Sequence, residues 1–170
     1  MRLAAATLAV WALASPALAD LVPVEMPLSW PASPADVKAF FSGVTDRSWY
    51  GETGTQIAYY APDGTLRLYH PGIERVTHGD WQVEPTEGAI NFCYRYDANP
   101  PGTLVPRDWA CVTAKQIQGL SYQYFRGDPL CLAQFKTVAF VLPPRDNISM
   151  EALFEQSRQA GRHCGVALSS

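Results

Sequence analysis

The sequence predicts a mainly β domain: an antiparallel meander of about seven or eight short strands, curled into a small barrel or sandwich, with a short helix before it and a helix after it. Three observations predict this. Between residues 49 and 142, short stretches of alternating apolar and polar residues are separated by Gly- and Pro-rich turns. Capped amphipathic segments lie at either end of that region. Nothing follows the alternating strand–helix pattern of a parallel sheet.

The chain opens with Met1-Arg2, a short positive region, followed by an uncharged apolar stretch, Leu3 to Leu13. Ser15-Pro16 interrupts it, and Ala17-Leu18-Ala19 supplies the small-x-small pattern of a signal-peptidase site, with Asp20 beyond. The apolar stretch is too short for a spanning helix, which needs about 20 residues. Residues 1–19 are therefore expected to be a cleavable signal peptide, and the rest to be periplasmic or secreted with no integral membrane segment. No cysteine stands at the cleavage point, so lipid anchoring is not expected.

Residues 20–32 (DLVPVEMPLSWPA) read as an extended, proline-punctuated lead-in, and 33–170 as one disulfide-stapled β-domain. Ser33-Pro34-Ala35-Asp36 carries helix-start signals: Ser as N-cap, Pro at the first helical position, Asp in the first turn. The helix runs over Ala35–Ser42 with Val37, Phe40 and Phe41 on one face and Gly43 closing it. Trp49-Tyr50 sits in a first strand. Thr55–Tyr60 and Thr65–His70 flank Ala61-Pro62-Asp63-Gly64, which fits a type I turn with Gly in the left-handed position. A two-residue turn there would flip every facing pair, so the faces stay open. Strands are expected at Gly79–Glu84, Ala89–Tyr96, Trp109–Ala114, Leu120–Phe125 and Thr137–Leu142, and a helix over Ser149–Ala160 with Ser149 as N-cap.

All four cysteines lie beyond the leader, and an even count in an exported chain reads as two disulfides. No C-x-x-C pair suggests zinc. In an antiparallel pair, opposed residues keep a constant number sum. Pairing Cys93 with Cys111 centres the turn on Gly102, within Asn99-Pro100-Pro101-Gly102, and sets Phe92 opposite Val112, Tyr94 opposite Ala110 and Arg95 opposite Trp109. Pairing Cys111 with Cys131 would centre it on Ser121, at a strand start. Cys93–Cys111 is favoured among the three connectivities, leaving Cys131–Cys164 to staple the C-terminal tail.

Composition narrows the partners. The formal charge is −3 and no basic cluster occurs, which argues against nucleic acid and anionic lipid. His70 and His78 flank a loop with Glu74 between them, but that spacing alone implies no third ligand, and His163 adjoins a cysteine expected to be bridged. G-x-S-x-G, H-E-x-x-H, glycine-rich phosphate loops and C-x-x-C are all absent. No catalytic residue, metal site or cofactor is expected.

The aromatics remain. Most sheet aromatics are core or cross-strand packing. Tyr122 and Tyr124 alternate with Ser121 and Gln123, giving one aromatic and one polar face. In a curled sheet the aromatic face points inward, to fill the core or line a pocket. Trp49, Tyr59, Trp81, Tyr94, Tyr122 and Tyr124 are the candidate ligand-binding residues.

Trp49-Tyr50, Tyr59-Tyr60-Ala61-Pro62-Asp63-Gly64-Thr65, Gly79-Asp80-Trp81 and the pair Cys93/Cys111 together resemble an uncharacterised family of small exported alphaproteobacterial proteins. The likeness covers roughly residues 44–126 and omits Cys131, Cys164 and the last helix. It implies a periplasmic domain of unknown function on a lipocalin-like antiparallel meander, and supplies no catalytic residues. The rhythm is also similar to small periplasmic inhibitors of proteases and lysozyme, at the level of fold only.

The expected function is a non-catalytic binding domain for a small apolar or amphiphilic ligand or an envelope component. The alternative is a protein-binding module, an inhibitor or envelope-assembly accessory, using the 20–32 arm or the 97–107 loop. Third comes an enzyme acting on cell-wall or lipid substrates, with acidic side chains or His70/His78 as acid–base groups.

Overall fold

A computed structural model describes residues 21–27, 33–97, 106–118, 120 and 122–164. The expected signal peptide and the turn at Gly102 lie outside the described residues. Eight strands form one antiparallel sheet: β1 (Pro23–Val24), β2 (Val44–Tyr50), β3 (Gly54–Tyr60), β4 (Thr65–Tyr69), β5 (Thr77–Thr86), β6 (Ala89–Tyr96), β7 (Ala110–Thr113) and β8 (Gln123–Arg126). Three helices accompany them: α1 (Pro34–Phe41), α2 (Ala114–Gln118) and α3 (Met150–Gln159). The sheet order is β1-β8-β2-β3-β4-β5-β6-β7, a mainly β, lipocalin-like meander curled into a half-barrel.

Local chemistry accounts for the most regular parts. Ser33 accepts from the Asp36 backbone N–H at 3.2 Å and Pro34 opens α1, so two signals fix the same start. Between β3 and β4, Ala61 N–H donates to Thr65 and Gly64 N–H donates to Ala61. Gly64 sits at φ +88°, which makes a three-residue loop and places Tyr60 opposite Leu66. Cys93 and Cys111 are joined, as are Cys131 and Cys164. The first bond sits in the β6–β7 ladder with Phe92 opposite Val112 and Tyr94 opposite Ala110.

The apolar run 137–142 is not a strand. Thr137 makes one isolated bridge with Arg75, and Val138, Phe140 and Leu142 pack as a cover on the sheet. Alternation thus arises from docking without a ladder. The stretch read as Trp109–Ala114 ends earlier, at Thr113, where α2 begins. Thr113 Oγ1 accepts from Gln116 N–H and Gln116 Oε1 accepts from Thr113 N–H, a capping box legible in Thr-x-x-Gln. Likewise the last strand occupies Gln123–Arg126 rather than starting at Leu120, because β8 leaves the meander and pairs with β2.

Two cores result, one on each face of the sheet. On the outer face, Ile57, Tyr69 and Phe125 meet Leu130, Leu132, Leu142, Met150 and Leu153 of the C-terminal segment. Arg47 anchors that segment: its Nε donates to the Ile148 carbonyl at 2.6 Å, and its guanidinium also reaches Asn147 and Gln123. On the inner face, Val37 and Phe41 of α1 pack against Val44, Tyr60, Leu66, Trp81, Phe92 and Tyr124. Each strand contributes alternate residues, as the pleat requires.

Candidate functional site

The inner face is not completely filled. A cavity of about 400 Å³ opens inside the curl, lined from β2 (Asp46, Ser48, Tyr50), β3 (Gln56, Ala58, Tyr60), β4 and its end (Leu68, His70), and β6 (Phe92, Tyr94, Tyr96). Phe41 from α1, Val112 from β7, Ile117 from α2, Leu120 and Tyr122 complete most of the wall. Tyr50 and Leu120 are 42% and 43% exposed and mark the mouth, whereas Asp46 is 4% exposed and belongs to the depths.

Among the described residues, Asp46 is the one acid in the wall. The register places it opposite Ala58 on one side and Tyr124 on the other, with its side chain on the inner face. Tyr60, two residues along β3 from Ala58, donates its hydroxyl to Asp46 Oδ2 at 2.5 Å. Burial pushes the Asp46 carboxyl up to about 7, opposed in part by hydrogen bonds from Tyr60 and from the Ala58 backbone. Among the described residues, no lysine or arginine lines the cavity.

Tyrosines surround this acid. Burial raises Tyr60, Tyr94, Tyr96, Tyr122 and Tyr124 above the ordinary phenol range, with the Asp46 charge adding to each. They are neutral phenols at physiological pH, each able to donate or accept. Tyr50 and Tyr122 are hydrogen-bonded hydroxyl to hydroxyl, their rings edge-to-face with centroids 6.3 Å apart. Phe41, Tyr60 and Phe92 form the deep aromatic wall, with centroids 4.3 to 5.3 Å apart. His70 Nδ1 lies 3.0 Å from the Pro71 carbonyl, which only accepts, so Nδ1 carries a proton.

Of the residues singled out from sequence, Tyr94 and Tyr122 line the cavity. Trp49 is 45% exposed and donates to the Arg145 carbonyl. Tyr59 packs on the outer face. Trp81 is buried in the inner core, its indole donating to the Ala61 carbonyl at 2.9 Å. Tyr124 is buried against Phe40 and Phe41, with no hydrogen-bond partner for its hydroxyl among the described residues. Asp46, Tyr60, Tyr96 and Tyr50 were not singled out. The one signal available was alternation, which puts Val44, Asp46, Ser48 and Tyr50 on a common face without saying which way it points.

Other chemistry is thinner. His78 is exposed while His70 is buried, so the two do not form one open site. The cluster Glu84, Cys93 and Cys111 has metal-ligand spacing, but both sulfurs are in the disulfide and offer no thiolate. No helix among the described residues is long and apolar enough to cross a membrane. No family model matches the chain, and no curated protein or solved structure matches it.

Proposed function

We propose that this protein is a non-catalytic periplasmic binding domain that holds a small amphiphilic ligand inside the curled sheet, in keeping with the exported family it resembles. The observation that carries this reading is the cavity itself. At about 400 Å³ it falls within the size range of small-molecule sites, and aromatic walls with a few convergent polar groups are how such sites bind and orient a ligand. The aromatic residues bury an apolar body, and Asp46 with its neighbouring phenols meets a polar end.

Catalysis is the weaker reading. An acid held near neutrality suits proton transfer. Yet the hydroxyl that bonds Asp46 is the Tyr60 phenol, which burial keeps neutral, and among the described residues Ser48 on the same wall makes no hydrogen bond to Asp46 or His70.

Native mass spectrometry of protein purified gently from the periplasm tests the proposal, together with titration by N-phenyl-1-naphthylamine, a neutral dye that brightens in apolar sites. A non-protein mass that survives desalting, or saturable brightening at one site, supports a binding domain. A bare chain that leaves the dye dark overturns it and favours a protein partner.

A further inference from the structure

Resting on the reading of the cavity as a binding site, we propose that the ligand class is an organic cation: an amine or quaternary ammonium group seated at Asp46, with an apolar body along the aromatic wall. The argument is one of unmet charge. A buried carboxylate is normally paired with a cation or hydrogen-bonded on every lone pair. Asp46 receives Tyr60 at 2.5 Å and the Ala58 backbone, and among the described residues no lysine or arginine lines its cavity. The protein therefore keeps a buried acid without a lysine or arginine beside it among the described lining residues.

The surroundings suit a cation and disfavour an anion. Ring faces attract a positive charge, and the wall holds Phe41, Tyr60, Phe92, Tyr94, Tyr96 and Tyr122. A ligand carboxylate would meet Asp46 with no lysine or arginine among the described lining residues to offset the repulsion. A neutral ligand would find aromatic surface but leave the acid unpaired.

The pH dependence follows with a definite sign. A cation requires Asp46 ionised, so binding weakens as pH falls through the Asp46 range. The groups that face Asp46 are Tyr60 on β3, Tyr94 and Tyr96 on β6, and Tyr124 on β8. Tyr50 and Tyr122 stand at the mouth and His70 at the end of β4. Burial keeps Tyr60, Tyr94, Tyr96, Tyr122 and Tyr124 neutral across this range. His70 lines the same cavity, so a variant at Asp46 must assign the effect.

The experiment is calorimetric titration of the mature, oxidised protein with benzyltrimethylammonium, whose charge does not depend on pH, and with neutral phenylbutanol, which has as many non-hydrogen atoms. At pH 8 the cation is expected to bind at least about tenfold more tightly than the alcohol. Its affinity should fall about tenfold by pH 5.5, while that of the alcohol does not fall. Asp46→Asn, which keeps the shape and an acceptor for Tyr60, should erase both the preference and the pH effect. Wild-type pH dependence stands as a test even where that variant fails to fold. Binding of the alcohol as tightly as the cation overturns the cation assignment and leaves the binding pocket intact. Binding of neither compound overturns both.

Discussion

Asp46 and Tyr60 stand on adjacent strands, two residues out of direct opposition, and the Tyr60 hydroxyl donates to the Asp46 carboxylate at 2.5 Å within the cavity. A charge-assisted bond of that kind contributes about 1.5 to 3 kcal/mol, but full burial of the carboxylate costs more. The net result is an acid raised from 3.8 to about 7.

That shift makes stability depend on pH with an unusual sign for a carboxylate. The folded state holds the proton more tightly than the unfolded state. The contribution of Asp46 is therefore fully present below about pH 4 and is lost as pH rises to about 7, beyond which it is flat. At 1.36 kcal/mol per unit the loss is on the order of 4 kcal/mol at most. Ligand-free protein should melt lower at pH 8 than Asp46→Asn, and the two melting temperatures should converge towards pH 4. A wild-type curve that runs parallel to the variant across that range would count against a buried, raised Asp46.

Ala58 lines the same space as Asp46 and is 6% exposed, so its methyl group abuts the cavity. Ala58→Leu adds three carbons where there is room rather than where packing is complete. Stability should change by less than about 1.5 kcal/mol, since filling a void offsets the local strain. Affinity for N-phenyl-1-naphthylamine should fall by about tenfold or more, equivalent to about 1.4 kcal/mol. Unchanged dye affinity in a folded variant would place the dye elsewhere.

What the sequence made legible was local. The Ser33-Pro34 helix start, the Pro62-Asp63-Gly64 loop and the Cys93/Cys111 register each depend on a few neighbouring residues. Faces were not legible, because one residue more or less in a loop reverses them. The three-residue loop settles the β3–β4 hairpin, and the β4–β5 register, Thr65 opposite Asp80, then moves the inward set to odd residues on β5. The site was hidden for the same reason. Asp46 looks like any strand-end acid until β8 returns from nearly eighty residues away to set Tyr124 beside it.

The Cys131–Cys164 bond closes a separation of 33 residues, and Cys164 lies just beyond α3, whose Met150 and Leu153 cover the outer core. In the chain-entropy model such a closure contributes about 3 to 4 kcal/mol. Replacing both residues by Ser should lower the melting temperature by roughly 6 to 16 °C for a domain of this size. Amide exchange should accelerate first in α3, because Arg47 still pins residues 147 and 148. Adding reductant to wild type should lower melting further, through Cys93–Cys111. An unchanged curve in reductant would show that neither bond stabilises the fold.

Gly79 lies opposite Tyr96 in the β5–β6 ladder, and it is a glycine for lack of space. A Cβ there would come within 2.1 Å of the Arg95 carbonyl oxygen and 3.0 Å of the Tyr96 ring. The backbone atom cannot yield without opening the ladder, so Gly79→Ala should cost about 3 kcal/mol, at the upper end for overpacking. Tyr96 lines the cavity, so the same substitution should weaken dye binding in whatever fraction stays folded. Gly88, at the β5–β6 turn with open space around its Cα, is the control for position in the hairpin. Its φ of +76° makes Gly88→Ala strained but not clashing, at about 1 kcal/mol. Denaturant midpoints of the two variants compare these costs directly. A Gly79→Ala midpoint equal to that of Gly88→Ala would mean that β5 and β6 do not approach as closely as the register requires.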